Sequence, residues 1–75
     1  MKAKEMFEKL GYKYEEDTVL KRLVFQNGSM IIAFYTEDKS FYKQYGYEPG
    51  DITLEELRAI NKQIEELGWD SENNK

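Results

Sequence analysis

Apolar side chains recur along this chain with two different periods, and each period implies a different element. Over the first ten residues Ala3, Met6, Phe7 and Leu10 stand at i, i+3, i+4 and i+7, with Lys4, Glu5, Glu8 and Lys9 elsewhere around the wheel. That spacing predicts a short amphipathic helix. Gly11 suits the left-handed residue that follows a helix end, and Tyr12 is placed to fold back on Phe7. A helix this short is marginal alone, so Met6, Phe7 and Leu10 must dock on something larger.

The period then changes to two. Val19 to Gln26 and Ser29 to Thr36 are β-rich stretches separated by Asn27-Gly28, the dipeptide best suited to a type I′ hairpin turn. A third stretch, Ser40 to Tyr45, returns after Glu37-Asp38-Lys39. A two-residue Asn27-Gly28 loop sets Phe25 against Met30, Leu23 against Ile32, Lys21 against Phe34 and Leu20 against Tyr35. The next turn sets Thr36 against Phe41, Phe34 against Lys43 and Ile32 against Tyr45. Alternation then gives the sheet two faces. One holds Val19, Leu23, Phe25, Met30, Ile32, Phe34, Phe41 and Tyr45, interrupted by Lys21 and Lys43, and is the expected core side. The other holds Leu20, Arg22, Val24, Ile31, Ala33, Tyr35, Tyr42 and Gln44, which is unusually apolar for a sheet surface facing water.

Helical spacing resumes after Pro49-Gly50, a pair suited to the centre of a type II turn. Thr53 and Glu56 form a capping box, and Ile52 and Leu57 are spaced as a hydrophobic staple. Leu54, Leu57, Ile60, Ile64 and Leu67 make one stripe, with Glu55, Glu56, Arg58, Lys62, Glu65 and Glu66 mostly off it. Gly68 ends the helix, and Trp69 is placed to pack back on Ile64. The fold class expected is α+β: a two-layer α-β-β-β-α domain over residues 1–69, a three-stranded antiparallel meander with two helices. Residues 70–75 carry no apolar side chain and are expected to form a flexible tail.

Composition narrows the chemistry. The 75 residues include no Cys and no His, so thiol nucleophiles, thiolate metal sites, disulfides and imidazole bases are all excluded. No apolar run approaches the roughly 20 residues of a membrane-spanning helix, and Met1 to Leu10 lacks a signal-peptide core. No membrane partner is expected, and the cytoplasm is the expected compartment. The net charge of −4 is unevenly spread. Residues 18–47 carry four positive and two negative groups, while residues 48–75 carry three and eight.

Candidate chemistry is correspondingly sparse. Glu15-Glu16-Asp17, Glu37-Asp38 and Glu55-Glu56 are adjacent carboxylates that point apart and lack an apolar pocket to separate their pKa values. Asp70 to Asn74 is too short for a calcium loop and lacks its central glycine. Ser29, Ser40 and Ser71 sit in no nucleophile elbow. Neither an enzyme nor a cofactor or metal site is expected. Three binding readings remain. Leu20, Arg22, Val24, Ile31, Tyr35 and Tyr42 form an apolar patch of the kind used for protein contacts, provided the helices do not straddle the sheet. Tyr35 and Tyr42 with Arg22, Lys21 and Lys43 offer stacking and cations for single-stranded nucleic acid, with both lysines reaching out past the helices. The acidic final helix could imitate a phosphate backbone, although Arg58 and Lys62 interrupt it.

The opening Ala3-Lys4-Glu5-Met6-Phe7-Glu8-Lys9-Leu10-Gly11-Tyr12 and the closing Ile52-Thr53-Leu54-Glu55-Glu56-Leu57 through Gly68-Trp69 resemble small uncharacterised proteins of phages and prophages in Gram-positive bacteria. That resemblance implies a bacterial cytoplasm, a phage-derived origin and a binding role. It supplies no functional residues. The expectation is a small interaction module that self-associates as a homodimer or docks on a host or phage protein through the uncovered sheet face.

Overall fold

The computed structural model describes residues 1–69 and has two helices and an open antiparallel sheet of five strands in sequential order. The expected tail at 70–75 lies outside the described residues. The elements are α1 (Ala3–Lys9), β1 (Lys13–Asp17), β2 (Arg22–Asn27), β3 (Met30–Tyr35), β4 (Ser40–Tyr45), β5 (Glu48–Pro49) and α2 (Leu54–Leu67). The α+β class is as expected, but the sheet gains β1 and β5. Lys13-Tyr14-Glu15-Glu16-Asp17 has a single apolar side chain, Tyr14, so no period marks it as a strand. Its ladder with β2 holds it in place.

Both helix ends expected from sequence form. Gly11 has φ +95°, its N–H meets the Glu8 carbonyl at 3.0 Å, and the Tyr12 N–H meets the Phe7 carbonyl at 3.0 Å. These are the two bonds of a Schellman ending. The Thr53 hydroxyl accepts from the Glu56 N–H at 3.1 Å while the Glu56 carboxylate accepts from the Thr53 N–H at 3.0 Å, closing the capping box. Gly68 ends α2 in the left-handed region.

The β2–β3 turn differs from expectation by one residue, and the turn expected at Pro49-Gly50 is replaced by one three residues earlier. Asn27 pairs with Met30, so the β2–β3 loop is Gly28-Ser29 and not Asn27-Gly28. Gly28 at the first loop position, with φ +60°, gives the type II′ arrangement, whose twist also matches that of the strands. Tyr45 pairs with Glu48, which puts a second turn of this kind at Gly46-Tyr47, with Gly46 at φ +62°. Pro49 enters β5, and Gly50 lacks the positive φ that a Pro-Gly type II turn would need.

Leu23 therefore faces Phe34 and Phe25 faces Ile32, while Ile32 faces Lys43 and Phe34 faces Phe41. Each shift moves partners by two, and side chains alternate with period two. The two faces keep their membership along the strands. The exceptions are Val19, Leu20 and Lys21, which precede β2 and lie in the turn after β1.

Both helices pack on one face. Phe7 of α1 stacks on Phe25 with ring centroids 4.0 Å apart, and Ala59 and Ile60 of α2 join Phe25, Ile32 and Phe34 in the same buried cluster. Phe7, Phe25, Ile32, Phe34 and Ile60 are the largest fully buried side chains, each contributing roughly 1.5–3 kcal/mol by leaving water. Trp69 closes the end of this core, its ring 6.2 Å from Phe34. The Ala3 N–H donates to Glu66 at 2.8 Å and ties α1 to α2.

The expected stripe of α2 is rotated. Glu56, Ala59, Ile60 and Gln63 are buried, whereas Leu54 and Leu57 are 57% and 41% exposed. The rotation follows from Glu56, which a polar partner beneath the helix draws inward.

A methyl group at Gly11 would stand 2.9 Å from the Asn27 side-chain nitrogen, while one at Gly28 meets nothing within 4 Å. Both positions are left-handed, which costs a substituted residue roughly 1–2 kcal/mol. Gly11→Ala is therefore expected to destabilise more than Gly28→Ala, a ranking measurable by urea denaturation.

Candidate functional site

Two constellations of side chains stand out, one inside the two-layer core and one on the helix-free face. The inner one centres on Glu56. Lys43 lies on the core face of β4 and donates to Glu56 Oε1 at 2.7 Å and to the Asp51 carbonyl at 2.6 Å. The two side chains are only 5% and 7% exposed. The Tyr12 hydroxyl donates to Glu56 Oε2 at 2.7 Å. Lys43 therefore does not reach out past the helices, because the carboxylate one layer above offers its ammonium a charge-assisted bond that repays its desolvation. Gly50 makes room for it, since a Cβ there would lie 3.2–3.4 Å from the Lys43 stem.

Burial alone would raise the Glu56 pKa, but hydrogen bonds from Lys43, Tyr12 and the Thr53 backbone outweigh it, and the value falls below the ordinary 4.5. Burial first, then the hydrogen bond and charge of Glu56, push the Tyr12 phenol far above its ordinary 10.0. The cluster is thus a carboxylate, an ammonium and a neutral phenol, each satisfied by the others. Among the described residues, no buried side-chain nitrogen or oxygen lacks a hydrogen-bond partner, and no group of acidic side chains is disposed to hold a metal ion.

The outer face is built by the pairing itself. Its rows read Asp17-Arg22-Tyr35-Ser40, Glu15-Val24-Ala33-Tyr42 and Lys13-Gln26-Ile31-Gln44-Pro49. Ala33 is fully buried although no helix among the described residues packs on this face, and Val24 and Tyr42 are its partners on either side. Tyr35 and Tyr42 stack with centroids 5.9 Å apart and planes 24° from parallel. Arg22 bonds Asp17 Oδ2 at 3.0 Å and the Tyr42 hydroxyl at 3.1 Å. The Leu20 backbone N–H and the Arg22 side chain together hold the Asp17 carboxyl below its ordinary range.

Of the expected surface, the structure brings Arg22, Val24, Ile31, Tyr35 and Tyr42 together on one sheet face, each half-buried. Leu20 is the exception. It occupies the β1–β2 turn, 54% exposed, because Asp17 caps that turn by accepting from the Leu20 N–H at 3.1 Å and delays the strand until Arg22. The pairings sequence reasoning missed are Asp17 with Arg22 and Lys43 with Glu56. The first had no strand to place Asp17 on, and the second joins residues 13 apart in different layers.

No protein-family model matches the chain, and neither the curated proteins nor the solved structures compared with it give a match.

Glu56→Gln retains the shape but strands the Lys43 ammonium without a counter-charge, an expected loss of about 3–5 kcal/mol. Urea denaturation followed by circular dichroism measures it. A lowered carboxyl pKa means the unfolded chain binds more protons in acid. The Glu56 contribution is then full above the unfolded value near 4.5 and lost as pH falls through the folded one. The Tyr12 contribution holds below pH 10.0 and is lost as pH rises past it. Stability measured across pH should show both declines.

Proposed function

We propose that this chain is a binding module whose contact surface is the helix-free sheet face, and that its partner is a protein. The observation carrying this reading is that both helices pack against Phe25, Ile32 and Phe34. Val24, Ile31, Tyr35 and Tyr42 are left half-exposed on the opposite side. Tyrosines and an arginine in a flat apolar setting are the residue types that dominate protein contacts. Arg22 and the stacked tyrosines are held by one another, so little side-chain entropy is lost on docking.

The electrostatics of the face favour a protein over a phosphate backbone. Lys13 and Arg22 are matched there by Glu15 and Asp17, and Arg22 already bonds Asp17. Lys43 is sealed against Glu56, and Lys21 pairs with Glu37 at 3.2 Å. An acidic mimic working through α2 is likewise less supported, because Glu56 points inward. On the resemblance of the sequence to phage proteins, the partner proposed is a phage or host protein of a bacterial cytoplasm. Among the described residues, no helix is long and apolar enough to cross a membrane.

Tyr35→Glu puts a charge within the patch and breaks a stacked pair worth roughly 0.5–1.5 kcal/mol. The variant is expected to fold and to lose its partner in pull-downs from bacterial lysate. Wild-type binding should persist at ~0.5 M salt, where phosphate contacts would weaken steeply. A folded Tyr35→Glu protein that still binds, or binding abolished by salt, overturns the reading.

A further inference from the structure

The β5 end of the outer face holds a cleft of about 350 Å³, lined by Tyr42, Lys43, Gln44, Tyr47, Glu48 and Pro49. Its two aromatic walls are held differently. The Tyr42 ring is fixed by its stack on Tyr35 and by the bond from Arg22. Tyr47 projects from the tip of the β4–β5 turn, 101% exposed, so its ring buries nothing among the described residues. Pro49 shares the outer row with Gln44 and completes the apolar lining.

The side chains of the cleft offer donors to a ligand. The Tyr42 hydroxyl accepts from Arg22 at 3.1 Å, which leaves its own proton to give. Gln44 uses one amide N–H on the Gly46 carbonyl at 2.6 Å and keeps the second. The adjoining backbone offers no such donor at its centre. Tyr45 pairs with Glu48, and the Gly50 N–H meets the Lys43 carbonyl at 3.1 Å. Residues 48 and 50 therefore face β4, and residue 49 faces the open side. Since residue 49 is Pro, that edge lacks the N–H an added strand would need. A ligand here is held by side chains and not by strand pairing.

We infer that this cleft takes a proline-rich segment of the partner protein in the polyproline II conformation, flanked by basic residues, an inference that rests on the contact surface proposed above. Prolines have no N–H to satisfy, so their carbonyls ask only for donors, which Tyr42 and Gln44 supply. Their rings pack on the faces of tyrosines, and the segment is extended before it binds, which limits the entropy lost on docking. The basic flank follows from charge. Of the two charged lining residues, Lys43 turns its ammonium to Glu56 in the core, whereas Glu48 is exposed and joins no ion pair among the described residues.

The area of the face also suits a linear segment. Five strands about 4.8 Å apart and about 19 Å long project onto roughly 450 Å², and the β1 side of that area is charged. Stable contacts between globular partners bury roughly 800 Å² on each side. A short segment anchored in a cleft does not require so large a footprint.

The test is a titration of the whole protein with a decaproline peptide ending in two arginines, read by amide chemical shifts. Binding is expected with a dissociation constant below ~1 mM, with shifts at Tyr42, Gln44 and Tyr47. Replacing the arginines with glutamates should weaken it about two- to fivefold. Tyr47→Ser should leave the urea midpoint unchanged, because the ring has no packing role, and weaken peptide binding at least about tenfold. No binding at ~1 mM peptide, equal binding by a glycine–serine peptide with the same arginines, or undiminished binding by Tyr47→Ser overturns the inference. Capture from lysate that Tyr35→Glu abolishes and Tyr47→Ser preserves overturns it alone and leaves the outer face as the contact surface. Capture that survives both substitutions overturns the outer-face reading and this inference with it.

Discussion

The bond between Lys43 and Glu56 is the constraint on which the arrangement of the two layers depends. A carboxylate that sequence alone assigns to a helix cap also receives an ammonium from the sheet below and a phenol from the end of α1. One side chain thus starts α2, fixes its rotation and ties it to β4 and Tyr12. A buried pair of this kind adds little net stability compared with apolar packing, but it specifies geometry, since other rotations of the helix leave charges unpaired. The exposure of Leu54 and Leu57 is the consequence.

The side of the sheet away from both helices has a different character. The outer sheet face is broad, flat and electrically balanced, with its tyrosines and Arg22 mutually held.

Recognition of the face from sequence was possible because parity survives error. The β2–β3 turn was placed one residue before Gly28-Ser29 and the β3–β4 partners were set two residues off, yet Val24, Ile31, Ala33, Tyr35 and Tyr42 still share a side. Leu20 failed for a local reason: Asp17 caps a turn through the Leu20 N–H, and β-rich composition at Val19-Leu20 does not register that bond. The strand β1 was illegible because a charged edge strand has no apolar period of its own and exists by pairing.

The sequence by itself determined whatever depends on neighbours within a few residues: the Schellman ending at Gly11, the Thr53–Glu56 capping box, the helix stop at Gly68 and the two-face character of β2, β3 and β4. Those features follow from backbone conformation and side-chain alternation, which are local. Only the tertiary structure decided which side chains of α2 turn inward, that Lys43 is buried and that both helices share one face. Each of these rests on a balance between desolvation and a partner far along the chain, and no local period encodes such a balance.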